Sequence, residues 1–218
     1  MVVVSGSNAQ QVAEQLALAL NWEHVQLEAR RFPDTEGYIR IPEEQIEAIR
    51  KEPVVVVSNT FPDAGIVETL LMLKAISDVR KGSLENLRGI EPQRMENIGP
   101  GVYLAVPYFG YSRQDKRFKP GEVISARAIA DMLATQCDGL TVLDLHAPQV
   151  LENLTIPVAF TSAMPELANH LQSEVKPDFI LSPDKGAIDR ASQVAKLIDC
   201  EFSYLEKTRI DAHTIIHK

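Results

Sequence analysis

Short apolar runs separated by charged stretches organise this chain. Val2–Ser5, Val54–Val57, Val102–Val106 and Leu140–Leu145 are almost continuously apolar, the pattern of strands covered on both faces of a parallel sheet. The stretches between several of them carry helical spacing. Val12, Leu16, Ala19 and Leu20 make one apolar face after a turn at Gly6-Ser7, with Asn8 as a candidate N-cap. Asp63-Ala-Gly65 opens a second helix bearing Ile66, Leu70, Leu73 and Ile76, and Ser125 caps a third over Ala126–Thr135. His24–Leu27 and Glu36–Ile41 alternate like two strands around a turn at Arg30–Thr35. Strands alternating with helices of this length predict an α/β fold with a doubly wound parallel sheet.

The order then returns with a helix near Pro165–Leu171, strand Phe179–Leu181, helix Ala187–Ile198 and strand Phe202–Leu205. Two related α/β domains are therefore expected, residues 1–147 and 148–218, joined through the aperiodic stretch Ala147–Thr155. Arg80–Gly101 breaks the rhythm with four glycines, Pro92, Pro100 and many charges, and reads as a long surface excursion.

Composition narrows the partners. The 218 residues are 45% apolar and 24% charged, with a formal net charge of −8 and a pI near 5.2. Such an acidic chain has no basic stripe for a nucleic-acid backbone. Against that background, the cations of Arg113–Lys119 form a local positive patch suited to a small phosphorylated ligand. Cys137 and Cys200 lack metal-ligand spacing and read as free thiols of a reducing compartment. Val2–Val4 is too short for a signal peptide and no stretch is long enough to span a membrane, so a cytoplasmic protein is expected.

Candidate chemistry concentrates where Val102–Val106 ends, in Pro107–Arg117, PYFGYSRQDKR. Ligands of open α/β sheets sit outside the carboxyl ends of strands, which puts Arg113, Gln114, Asp115, Lys116 and Arg117 where a polyanion would bind. Arginine offers a rigid fork for phosphate and glutamine an amide for a base or ribose edge. On its own, the stretch reads equally well as a solvated charged loop. Phe32-Pro-Asp-Thr-Glu36 sets an aromatic ring and two carboxylates within five residues, either to stack on and accept from adenine or as an acidic hairpin turn with Phe32 in the core. His146 follows a buried strand with Asp144 two residues earlier on the same face, as a metal ligand or a hydrogen-bonded structural histidine. Asp184 follows Phe179–Leu181, as a cation ligand or an ordinary helix-initiating aspartate. Lys207 and Arg209 follow the last apolar strand, free to meet phosphate or simply solvated.

Taken together in this order, PYFGYSRQDK, Phe32–Glu36, Asp144-Leu-His-Ala147, Ser182-Pro-Asp-Lys-Gly186 and Glu206-Lys-Thr-Arg209 resemble the ribose-phosphate pyrophosphokinases, also called phosphoribosyl pyrophosphate synthetases. The resemblance spans nearly the whole chain. It implies two tandem phosphoribosyltransferase-like domains and transfer of the diphosphoryl group of ATP to ribose 5-phosphate, giving phosphoribosyl pyrophosphate and AMP. It further implies that Phe32, Asp34 and Glu36 reach adenine bound by a neighbouring subunit, in a homodimer or larger homo-oligomer. Arg113 and Gln114 would take the phosphates, with Asp115 supporting the loop or touching ribose. His146 would hold one Mg2+ and Asp184 a second, while Lys207 and Arg209 close over the transferring phosphates. Thr35 stands where relatives carry glycine, and Arg80–Gly101 where they pass from helix to strand by a short turn.

The resemblance also calls for a strand ending in two acidic residues and a Thr/Gly loop for the 5-phosphate of ribose. No such pattern occurs before Lys218. The second domain is accordingly expected to be incomplete, its sheet left with an uncovered edge, and the chain a fragment or truncated product. A non-catalytic relative that binds nucleotide and joins complete subunits is the alternative. A phosphoribosyltransferase is disfavoured, because such enzymes depend on that same loop.

Overall fold

The computed structural model describes residues 1–80, 100–209 and 215–217, with Lys207–Arg209 and Ile215–His217 described by backbone alone. The excursion expected at Arg80–Gly101 therefore lies almost wholly outside the described residues. The chain divides into two compact units, Met1–Thr161 and Ser162–Lys218.

The first unit is built on a six-stranded parallel sheet: β1 (Val2–Ser5), β2 (Glu23–Gln26), β5 (Val54–Val57), β6 (Val102–Val106), β7 (Gly139–Leu143) and β8 (Val158–Thr161), in the order β2-β1-β5-β6-β7-β8. Helix α1 (Gln10–Leu20) covers one face, where Ala9, Ala13 and Ala17 meet Val3 and Val57. Helices α2 (Ile46–Lys51), α3 (Asp63–Arg80) and α4 (Ser125–Ala134) contribute to the larger cluster on the other, around Val54, Val56, Leu104 and Val142. The doubly wound arrangement follows from handedness: right-handed crossovers moving in opposite directions along a sheet put their helices on opposite faces.

Four local expectations are corrected. Of the expected helical face Val12, Leu16, Ala19 and Leu20, only Leu16 packs partly against the core; the other three are exposed, and Ala13 and Ala17 are buried instead. Small residues spaced four apart let a helix axis approach the sheet closely, so contact distance outweighs hydrophobicity here. Asn8 does not cap α1, whose N-cap is Ala9. The strand before the Arg30–Thr35 turn is two strands: β2 joins the main sheet, and after Leu27 β3 (Glu28–Arg31) pairs antiparallel with β4 (Gly37–Arg40). β7 ends at Leu143, and Asp144 takes a left-handed φ of 45°, so the strand alternation that would put Asp144 and His146 on one face has already stopped.

The boundary between units falls after Thr161 rather than at Ala147, because β8 pairs with β7. The second unit contains α5 (Met164–His170), β9 (Phe179–Ser182), α6 (Ile188–Ile198), β10 (Glu201–Tyr204) and the hairpin β11 (Lys207–Arg209) with β12 (Ile215–His217). β9 and β10 form a two-stranded parallel sheet packed by α6. Its buried core is small, with Ala168, Ala191, Val194 and Ala195 inside, while Phe179, Leu181 and Phe202 are exposed.

Candidate functional site

The order of the central sheet reverses between β1 and β5, which opens a crevice at the carboxyl ends of these strands. Polar residues knit that edge together. Asn8 Oδ1 accepts from the Asn59 N–H at 2.9 Å and from the Ser58 hydroxyl at 3.2 Å, and the Asn59 amide donates back to the Asn8 carbonyl at 2.9 Å. Asn59 Oδ1 in turn accepts from the Tyr108 N–H at 3.0 Å, and the Thr60 N–H donates to the Tyr108 carbonyl. Thus the ends of β1, β5 and β6 are tied by one network, in which Asn8 was expected only as a helix cap and Ser58, Asn59 and Thr60 were not singled out in the sequence. The polar run Ser58-Asn59-Thr60, directly after four valines, was the available signal.

The loop after β6 is built on this platform. Phe109 is buried, Gly110 packs against Thr60, and the Tyr111 hydroxyl donates to Asp63 at the start of α3 at 2.6 Å. That hydrogen bond, chiefly, raises the Tyr111 pKa. Beyond Tyr111 the loop turns back: the Gln114 N–H donates to the Tyr111 carbonyl, and Glu122 accepts from the Phe118 and Lys119 amides. Arg113, Lys116, Arg117 and Lys119 are left exposed, and none forms an ion pair among the described residues. Gln114 and Asp115 are half-buried, with Gln149 Nε2 approaching Asp115 Oδ2 to 3.5 Å. Parallel pairing of β6 and β7 brings Asp144 and the exposed His146 to the same end of the sheet.

Phe32, Asp34 and Glu36 lie at the tip of the β3–β4 hairpin. Phe32 is 40% exposed rather than in the core, edge-on to Tyr38 at 5.6 Å, and Arg30 lies over both rings at 4.9 and 4.0 Å. Asp34 Oδ1 accepts from the Glu36 N–H, and Thr35 holds the turn at φ 77°. A residue other than glycine therefore occupies the left-handed position. Among the described residues, no hydrogen bond or ion pair joins this tip to the Arg113 loop.

In the second unit, Asp184 caps a single turn, Lys185–Ala187, accepting from the Gly186 N–H at 3.0 Å, and Lys207 and Arg209 bound β11. No group of three His, Cys, Asp or Glu side chains is placed to hold a metal among the described residues. A lone carboxylate at a strand end does suit Mg2+, which keeps several waters and takes further ligands from phosphate.

Known proteins resemble the chain over most of its length. A family profile described as the N-terminal domain of ribose phosphate pyrophosphokinase matches residues 1–85 and 100–136, breaking within the expected excursion. The chain is 35% identical to "Ribose-phosphate pyrophosphokinase" of Methanothermobacter thermautotrophicus over 98% of its own length and 68% of the relative's. Against the protein of that name from Sulfurisphaera tokodaii the identity is 32%, over 96% and 65%. The fold is similar to the crystal structure of phosphoribosylpyrophosphate synthetase from Mycobacterium smegmatis, with a TM-score of 0.73 at 23% identity, over 100% of this chain and 66% of that one. The chain thus spans about two thirds of these proteins' lengths.

Proposed function

The chain belongs to the ribose-phosphate pyrophosphokinase family, and from that membership we propose that it acts in diphosphoryl transfer from ATP to ribose 5-phosphate, releasing AMP. What carries the reading is the loop after β6: rigidly seated on Asn59, Thr60 and Asp63, it presents four exposed cations beside the strand end that bears His146.

Arg113 and Gln114 bind the ATP phosphates, and Asp115 holds the loop through Gln149. His146 would hold one Mg2+ and Asp184 a second. When bound, these ions neutralise phosphate charge. Adenine stacks on Phe32 and donates to Asp34 and Glu36 of a neighbouring copy, so the working unit is at least a dimer. The anomeric hydroxyl of ribose 5-phosphate attacks the β-phosphorus in line. The new bond joins that oxygen to phosphorus, the bond from the β-phosphorus to the α-phosphate oxygen breaks, and AMP leaves with that oxygen. The hydroxyl proton passes to solvent without a dedicated base, since positioning and fixed positive charge carry this reaction class. Lys207 and Arg209 close over the developing charge.

The test is AMP formation from ATP, Mg2+ and ribose 5-phosphate. Turnover is expected, falling at least 100-fold in Arg113→Ala and His146→Ala. Mixing Phe32→Ala with Arg113→Ala protomers should restore part of it, because one shared site then keeps both groups. Nucleotide binding with no AMP release would instead favour a non-catalytic subunit.

A further inference from the structure

Tyr111 takes a left-handed φ of 61°, a conformation that glycine adopts freely and a bulky residue adopts only under strain. The neighbouring glycine serves another contact, since Gly110 packs against Thr60. Strain of this kind persists where the surroundings hold it, and it collects at functional sites. Here the Tyr111 hydroxyl donates to Asp63 Oδ1 at 2.6 Å, the Gly110 N–H donates to the Thr60 hydroxyl at 2.7 Å, and the Gln114 N–H donates to the Tyr111 carbonyl at 2.9 Å. The Tyr111 residue stays 43% exposed, so apolar burial does not account for a tyrosine at this position. What it adds is the hydroxyl.

Asp63 is the first residue of α3, where the positive end of the helix favours an ionised carboxylate. A phenol donating to such a carboxylate makes a charge-assisted hydrogen bond, stronger than a neutral one. It ties the Tyr111 corner to a rigid helix at the point where the loop turns back. On the far side of the turn, the Gln114 carbonyl accepts from the Ala126 N–H at 3.3 Å, in the first turn of α4. Arg113 therefore rides on a short span of backbone anchored to α3 at one end and to α4 at the other. We propose that Tyr111 is a positioning residue for phosphate binding: its hydrogen bond to Asp63 fixes the backbone that presents Arg113 to a polyphosphate. Tyr111 acts through Arg113 rather than by contact with the ligand. The assignment rests on the reading of this loop as the phosphate site.

Inorganic tripolyphosphate is the probe, because it offers phosphates without adenine or ribose and its binding is read apart from turnover. Asp63→Asn and Asp63→Ala remove the same negative charge, and only the asparagine keeps an acceptor for the phenol. Titration calorimetry should show about fivefold tighter binding to Asp63→Asn than to Asp63→Ala. That difference should vanish when each is combined with Tyr111→Phe, which keeps the ring and loses the tie. Tyr111→Phe alone should weaken binding by a similar factor. Equal affinities of Asp63→Asn and Asp63→Ala would overturn the proposal. So would a difference that persists in the Tyr111→Phe background, or the absence of saturable tripolyphosphate binding by the unaltered chain. The fivefold coupling without AMP formation from ATP and ribose 5-phosphate would support the positioning role and reject diphosphoryl transfer.

Discussion

Gly110 lies against Thr60 so closely that a Cβ on it would stand 2.1 Å from the Thr60 carbonyl oxygen, while its N–H donates to the Thr60 hydroxyl at 2.7 Å. The loops after β5 and β6 are in effect one element at this point, and the placement of Arg113 depends on it.

Gly110→Ala must push the two loops apart. Overpacking of this kind costs about 2 kcal/mol, and the shift propagates to Arg113 and Gln114. Urea denaturation should show the loss of stability, and an ATP titration should show weaker binding even though no ligand-facing side chain has changed.

Thr35 is the reverse case. A β-branched residue at φ 77° is strained, at roughly 1–3 kcal/mol for such backbone. Thr35→Gly releases that strain and gives back part of it through a more flexible unfolded chain, for a net gain of about 1 kcal/mol. Thermal melts should rise by about 2–4 °C.

Arg80 is only 5% exposed and donates to three backbone carbonyls: Ile49 at 3.1 Å, Glu52 at 2.6 Å, and Pro100. It ties the end of α2 to both ends of the stretch between Arg80 and Pro100. Arg80→Met leaves those acceptors unpaired and should lower stability by about 3 kcal/mol in chemical denaturation. Arg80→Lys should recover only part, because one ammonium cannot span the positions that a guanidinium fork reaches.

Burial pushes the Cys137 thiol from 9.0 up to about 11, and the thiol donates to the Leu133 carbonyl at 3.4 Å. The fold thus favours the neutral thiol. This stabilisation is complete below pH 9.0 and is lost as pH rises through about 11. Native protein at pH 7.5 should react with iodoacetamide at the half-buried Cys200 first, and at Cys137 only after unfolding. Cys137→Ala should flatten the alkaline loss of stability.

Much of the fold could be read along the chain because parallel strands covered on both faces leave an unbroken apolar record. Val54–Val57 and Val102–Val106 needed no neighbours to identify them. The same holds for the cations of the Arg113 loop, whose charge stands out on an acidic chain. β8 and α2 passed unread, since Val158–Thr161 and Ile46–Lys51 are short and mix polar with apolar residues.

By itself, then, the sequence determined the parallel α/β class and which loop carries the positive charge, since burial and charge are properties of composition along short windows, while its ordered motifs carried the family resemblance. Only the tertiary structure decided that Asn8 binds Asn59 rather than capping α1, that alanines rather than Val12 and Leu20 face the sheet, and that Tyr111 reaches Asp63. Each of those depends on which distant segment arrives opposite a residue, and a short window does not encode that.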